Sequence, residues 1–175
     1  MSESEGFTTG RIAALMRVST DAAAAEIRAL GDLARRRPEP DEWCANEVLG
    51  HLIEADRRGF IGRVRACLAE DHPTFVPWDQ PGVAAARRDR EKDPEAMVAE
   101  FLAQRGEDLA LVAGLAEADV DRAGEHPSVG PLSVRNLLHE WVHHDREHLA
   151  QLMAVSKALA WPAMGNARRF SDPTA

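Results

Sequence analysis

The sequence predicts an all-helical protein of four long helices, with an extended connection between the second and the third. Three observations carry that expectation. Apolar residues recur at helical spacing over several long stretches, without the alternating β-branched runs that mark strands. Tyrosine is absent, and aromatic residues make up only 5% of a chain rich in alanine and leucine. Proline and glycine gather mostly between the periodic stretches, where they break helices rather than weaken them. At 175 residues the chain suits one domain that buries most of its apolar surface.

The first helix is expected from Thr8 or Thr9 to about Arg35, with Ile12, Leu15, Met16, Ala23, Ile27, Leu30 and Leu33 recurring on one side, and Pro38 and Pro40 stopping it. Asp41 then offers an N-cap for a second helix reaching about Glu70, with Glu42 where the macrodipole favours an acid. On a straight helix, Cys44, Glu47, Val48, Ala55, Gly59, Gly62 and Ala66 share a side with His51, while Leu49, Ile53, Phe60 and Val64 lie opposite. The small residues invite close approach of another helix, because a glycine inside a helix costs about 1 kcal/mol relative to alanine and wants a packing reason. The apolar side opposite makes a homodimer the expectation. The competing arrangement lays the following connection, with Phe75, Val76 and Trp78, over that side and leaves a monomer.

From Asp71 to Asp93 the periodicity breaks at His72-Pro73, Val76-Pro77 and Gln80-Pro81-Gly82. That span is too long for a tight hairpin, so a crossover is expected, with Trp78 covering something apolar. Asp93-Pro94 opens a third helix, an N-cap followed by proline at the first helical position, running to about Ala116 with Met97, Phe101, Leu102, Leu109 and Val112 inward. Arg105 intrudes on that inward stripe. It either pairs with Asp108 or a carboxylate of the second helix, or it serves an anionic substrate group. Ala118 to Leu132 is turn-rich, and Ser133 caps the fourth helix, which extends to about Ser156. The tail through Trp161, Phe170 and Pro173 either folds back or frays.

The fourth helix carries the chemistry, since Leu137 to Gln151 holds four of the seven histidines. At about 100° per residue, Leu137, Trp141, His148, Gln151 and Val155 fall on the side of His144, which is the apolar stripe. His139 and His143 fall beside Arg146 and Glu147 and read as solvated. Residues four apart on a helix are neighbours, so His144 and His148 suit a shared metal ion, or equally a buried pair bonded to backbone or carboxylate. His51 has the same two readings. His72 and His126 each precede a proline in a loop and make poor ligands.

A net charge of −8 leaves no basic field for phosphates, which disfavours nucleic acid as a partner. The first residues lack the basic and apolar regions of a leader, and no apolar run approaches the ~20 residues of a membrane span, so a cytoplasmic protein without a membrane partner is expected. Cys44 and Cys67 cannot build a disulfide framework or a cysteine-rich zinc site and read as reduced, buried residues. Phosphate-cradling glycine loops, GxSxG elbows and Cys-His dyads at readable spacing are all missing from the sequence.

Trp43 with Glu47-x3-His51, Phe101-x3-Arg105, and above all Gly130-Pro131-Leu132-Ser133 leading to His144-Asp145-x2-His148-x2-Gln151 resemble the DinB-like (DinB/YfiT) superfamily of metal-dependent proteins. The resemblance runs from about residue 10 to residue 156. It implies a four-helix bundle with a long crossover between helices 2 and 3, and a divalent metal held by His51, His144 and His148. It also implies an activity class, because members with known activities pair the metal with a low-molecular-weight thiol, as S-transferases or maleylpyruvate isomerases. Many members have no assigned reaction.

Three imidazoles leave at least one position open on a divalent ion, the arrangement of a catalytic site, with zinc the first expectation and nickel also suited to imidazole. A small-molecule substrate is implied. Glu47, Glu140 and Gln151, each one turn from a histidine, are candidates to accept a ring N–H, act as a base or meet substrate. Against the thiol reading stand a metal-dependent hydrolase and a non-catalytic, stress-related metal-binding scaffold.

Overall fold

The Thr8 hydroxyl accepts a hydrogen bond from the Arg11 amide at 3.2 Å and so starts helix α1, Thr9–Leu30. At Gly31, which has φ of 52°, the chain tightens into a 3-10 turn over Gly31–Arg35. This computed structural model describes residues 6–172 and 174. The first five residues, on which the expectation of no leader rests, lie outside the described residues, as does Pro173 of the tail.

The second helix is not the straight rod that periodicity suggests. It comprises α2 (Ala45–Glu54), a π turn over Ala55–Phe60 and α3 (Ile61–Ala69). It starts after Cys44 rather than Asp41, because the Glu47 carboxylate accepts the Cys44 amide at 2.9 Å. The π turn admits an extra residue, and the Arg57 carbonyl lies where a β-carbon on Gly62 would sit. The facing of the residues beyond it therefore shifts. Leu49 and Ile53 enter one apolar cluster with Met97, Val98, Phe101 and Leu152, while Phe60 and Val64 enter another with Ile12, Met16, Leu109 and Trp141. The apolar side on which a dimer was expected is thus consumed within one chain.

The small-residue side meets both a bundle helix, through His51, and the crossover, whose Trp78 Nε1 lies 4.0 Å from where a β-carbon on Gly59 would sit. The Asp89 carboxylate occupies the space that a side chain on Gly50 would need. Instead of a plain loop, the crossover forms helix α4 (Gln80–Arg87), capped by Asp79 through the Gly82 amide at 3.0 Å, and a 3-10 turn at Asp89–Glu91. Arg87 pins its far end by reaching Glu54 and Asp89 at 2.8 Å and Glu100 at 3.1 Å. Phe75 is buried, Trp78 half-buried and Val76 exposed.

Asp93 accepts the Ala96 amide at 2.9 Å and opens α5, Pro94–Ala113. The turn-rich stretch that follows folds into a short α6 (Glu117–Val120) and an antiparallel hairpin, β1 (Ala123–His126) with β2 (Gly130–Ser133), pairing Gly124 with Leu132. This hairpin departs from a wholly helical fold. Pro73 and Phe75 of the crossover bond along β1 at 2.8 Å each, and the Phe75 ring lies over Gly124, so the hairpin ties the crossover to the bundle. Helix α7, Val134–Ala160, begins where the Ser133 hydroxyl accepts the Asn136 amide at 3.1 Å. The tail continues as a 3-10 turn (Trp161–Ala167) and α8 (Arg168–Ser171). Within the tail Arg168 Nε donates to the Trp161 carbonyl at 3.0 Å, and Phe170, expected as one of the residues that would fold back on the bundle, stays 95% exposed.

Helix α1 packs on α5 and α7, and α2 packs on the same two from its own side. No described helix is long and apolar enough to cross a membrane. Between the two apolar clusters runs a charged layer. Arg105 follows Phe101 and precedes Leu109, Asp56 separates Ile53 from Phe60, and Asp145 separates Trp141 from Leu152. The guanidinium donates to Asp56 at 2.6 and 2.9 Å and to Asp145 at 2.7 and 2.6 Å. Trp141 Nε1 donates to Asp56 as well, at 2.7 Å. The histidines lie beside this layer, because His144 directly precedes Asp145 and His51 sits five residues before Asp56.

Candidate metal centre

His51 reaches the centre from α2, just before the π turn, and His144 and His148 reach it from successive turns of α7. Their rings converge. His51 Nε2 lies 3.0 Å from His144 Nε2, and the His148 ring centroid is 4.4 Å from each of the other two. One nitrogen from each ring lies within 4.8 Å of the others. Two nitrogens at ordinary zinc distances of about 2.0–2.1 Å in tetrahedral array stand about 3.4 Å apart, so only small ring adjustments separate this constellation from one that holds an ion.

The remaining ring nitrogens test the fit further. His148 Nδ1 stands 2.8 Å from Gln151 Oε1, and with Nδ1–H donating to that oxygen the Nε2 lone pair is left toward the centre. His51 Nδ1 stands 3.1 Å from the Gln80 amide nitrogen. His144 Nδ1 is buried without a hydrogen-bond partner among the described residues. Trp43 packs on the His51 ring at 5.5 Å, Trp78 stacks at 6.3 Å, and the edge of Phe60 meets His144 at 5.1 Å.

Burial among these rings, followed by the charge that a protonated His148 would bring, lowers the pKa of His51 from 6.5 to about 4 and that of His144 to about 3. Both rings are therefore neutral at pH 7, as metal ligands must be. Because their folded pKa values lie below 6.5, their contribution to stability is present above pH 6.5 and is lost as the pH falls toward 4 and 3. In metal-free protein the melting temperature should fall over that window, and less steeply in His144→Gln, which lacks one such group. A saturating divalent ion should move the fall to lower pH. Thermal melts with chelator and with zinc from pH 8 to 4 check this, and equal profiles for both proteins would contradict it.

The other predicted site residues are distributed unevenly. Gln151 is at the centre. Glu47 is not, being held by the Cys44 amide and by Arg37 at 2.5 Å. Glu140 is exposed on the outer wall and makes no bond to a ring. Arg105 is only 1% exposed and both faces of its fork are filled by carboxylates, so it pairs with helix 2 as one expectation had it, and with Asp145 besides. His139 is half-buried rather than solvated: its Nε2 accepts the Phe7 amide at 2.9 Å, well away from the centre. Sequence reading passed over Gln80, because Gln-Pro-Gly reads as a turn, and over Asp56, although a buried arginine demands carboxylates at its own level.

A cleft of about 820 Å³ opens at His148 and Gln151 and runs between Trp43 and Trp161 toward Lys157. A second hollow of about 440 Å³ reaches His144 and His148 from the side of Glu140, His143 and Glu147. Two of the three rings are thus reachable from solvent.

A family model described as the DinB superfamily matches residues 12–152. The protein named "Putative metal-dependent hydrolase YfiT" of Bacillus subtilis is 24% identical over 120 residues, which cover 68% of this chain and 67% of that one. A relative of Bacillus licheniformis, likewise named a "Putative metal-dependent hydrolase", is 28% identical over 120 residues, 68% of each chain. The solved structure of Bacillus subtilis YfiT, described as "a probable metal-dependent hydrolase with an unusual four-helix bundle topology", superposes with a TM-score of 0.74 at 19% identity, covering 92% of this chain and 94% of that one. A mycothiol-dependent maleylpyruvate isomerase superposes with a TM-score of 0.65 at 10% identity, over 83% of this chain and 61% of that one. Both structures share the fold.

Proposed function

The chain belongs to the DinB superfamily, and from that premise we propose that it is a divalent-metal-dependent enzyme acting on a small molecule, with His51, His144 and His148 as the ligands. The observation that carries the reading is the convergence of three ring nitrogens, one of which, that of His148, belongs to a ring lining an open cleft. A divalent ion held there, zinc before nickel, supplies Lewis acidity and lowers the pKa of a water or thiol brought to its open side. Gln151 holds the His148 ring in the required tautomer by accepting a hydrogen bond from Nδ1–H. Trp43, Trp78 and Phe60 keep water from the faces of His51 and His144, so that charge on a substrate is felt in a poorly screened site.

The chain's own thiols are not the nucleophile. Cys44 is fully buried and burial pushes it up to about 11, and Cys67 is buried in the core and raised for the same reason. A thiol reaction therefore needs a soluble thiol, and the cleft has room for one beside an acceptor. S-transfer or isomerisation with a low-molecular-weight thiol is the first reading. Hydrolysis is the second, favoured by the names of the curated relatives and needing only water. A scaffold that keeps its metal for stability would want a fourth protein ligand, whereas the described cluster has three.

Zinc- and nickel-loaded protein should be offered small thiols with electrophilic acceptors, and separately esters and amides without thiol. Thiol consumption that stops with chelator and in His148→Ala is the expected result. Metal-dependent cleavage without thiol would give the second reading precedence, and loss of neither substrate class would leave the scaffold.

A further inference from the structure

We propose that Gln80 is a positioning residue for His51: from the crossover, its side-chain amide partners Nδ1 in either tautomer of that ring, which lets Nε2 be freed to bind a divalent cation. The inference rests on His51 being a ligand. Its starting point is an asymmetry between two glutamines. Gln151 presents its carbonyl oxygen to His148 Nδ1 at 2.8 Å, whereas Gln80 presents its amide nitrogen to His51 Nδ1 at 3.1 Å.

With the Gln80 N–H donating, His51 Nδ1 accepts and the ring proton sits on Nε2. That proton then points along the 3.0 Å line to His144 Nε2, making a continuous run from Gln80 through His51 to His144. In this arrangement neither the His51 nor the His144 Nε2 lone pair is available. A half-turn of the Gln80 amide exchanges its oxygen and nitrogen at almost no steric cost. His51 Nδ1–H then donates to the Gln80 oxygen, the proton leaves Nε2, and both Nε2 lone pairs face the centre. No atom is gained or lost apart from the shift of one proton between the two nitrogens of a neutral imidazole. Gln80 thus satisfies His51 in either tautomer and turns with it.

The chain on either side of Gln80 keeps that side chain beside His51. Trp78, two residues earlier, stacks on the His51 ring at an interplanar angle of 23°. At the other end Arg87 is only 10% exposed and grips Glu54, three residues after His51. Helix α4 is therefore fixed to α2 on both sides of the histidine, while the cleft opens on the α7 side.

Removing the amide and fixing it should have opposite effects. Gln80→Glu supplies only acceptors, which favours the proton on Nδ1 and frees Nε2. Gln80→Leu keeps the bulk and offers no partner. Zinc affinity, measured by competition with a chromophoric chelator at pH 7.5, should fall about 10-fold or more in Gln80→Leu and should hold or rise in Gln80→Glu, and the cobalt-loaded visible spectrum should be altered in the first and retained in the second. Equal losses in both variants would mean that Gln80 merely docks α4 and would overturn the inference. So would a Gln80→Leu protein that binds like the wild type. Wild-type protein that binds no divalent ion would refute the three-histidine reading itself and this inference with it, whereas wild-type binding with unaffected variants refutes only the role of Gln80.

Discussion

Replacing Arg105 by methionine is expected to cost about 3–5 kcal/mol of stability, the range found when one partner of a buried ion pair is removed. Among the described residues the guanidinium is the single cation bonded to Asp56 and Asp145, and all three side chains are at most 1% exposed. Without it, two carboxylates face each other in an apolar bundle. Burial, with the neighbouring Asp145 adding to it, pushes the Asp56 carboxyl upward against the pull of Arg105 and Trp141, so removal of the cation pushes it further in that direction. Urea unfolding at pH 7 gives the number. Changing Asp56 and Asp145 to asparagine in the Arg105→Met background should restore part of the loss, because the penalty is unpaired charge and not missing bulk. A loss below about 1 kcal/mol in the single variant would place it with ordinary surface substitutions and contradict the role given to this layer.

His148→Ala is the second substitution with a large expected effect. It removes one of three converging ring nitrogens and frees Gln151 from its partner. Outer hydrogen-bond partners of metal ligands typically account for about 10–100-fold in affinity, so loss of a ligand should exceed that. Metal analysis of purified protein should show the ion nearly absent. His143→Ala is the control, since His143 neighbours His144 in sequence but is exposed on the outer wall. It should retain wild-type metal content, and equal losses in the two variants would erase the distinction between the faces of α7.

That distinction was legible in the sequence, because α7 is a regular helix and its facing follows from 3.6 residues per turn. His144, His148 and Gln151 fall on one stripe whatever the rest of the chain does. The second helix shows where such reasoning stops. Its π turn depends on where the Arg57 carbonyl lies relative to Gly62, a contact that periodicity does not encode, so residues assigned to opposite sides both ended up in the core. The helix inside the expected crossover, and the hairpin, were hidden for a related reason. Prolines and glycines mark where a helix cannot continue, but Gln80, Trp78 and Arg87 take their roles from residues far away in sequence, namely His51, Glu54 and Glu100. Arg105 was legible as an anomaly, and the carboxylates that resolve it come from two other helices.

Three imidazoles, and no thiolate, should hold a divalent ion with a position left open. X-ray absorption spectroscopy of the zinc-loaded protein tests it most directly. Nitrogen or oxygen scatterers are expected at about 2.0–2.1 Å, with the outer-shell pattern of three imidazoles and one further light-atom ligand. A sulfur shell at about 2.3 Å, or fewer than three imidazoles around the ion, would contradict it.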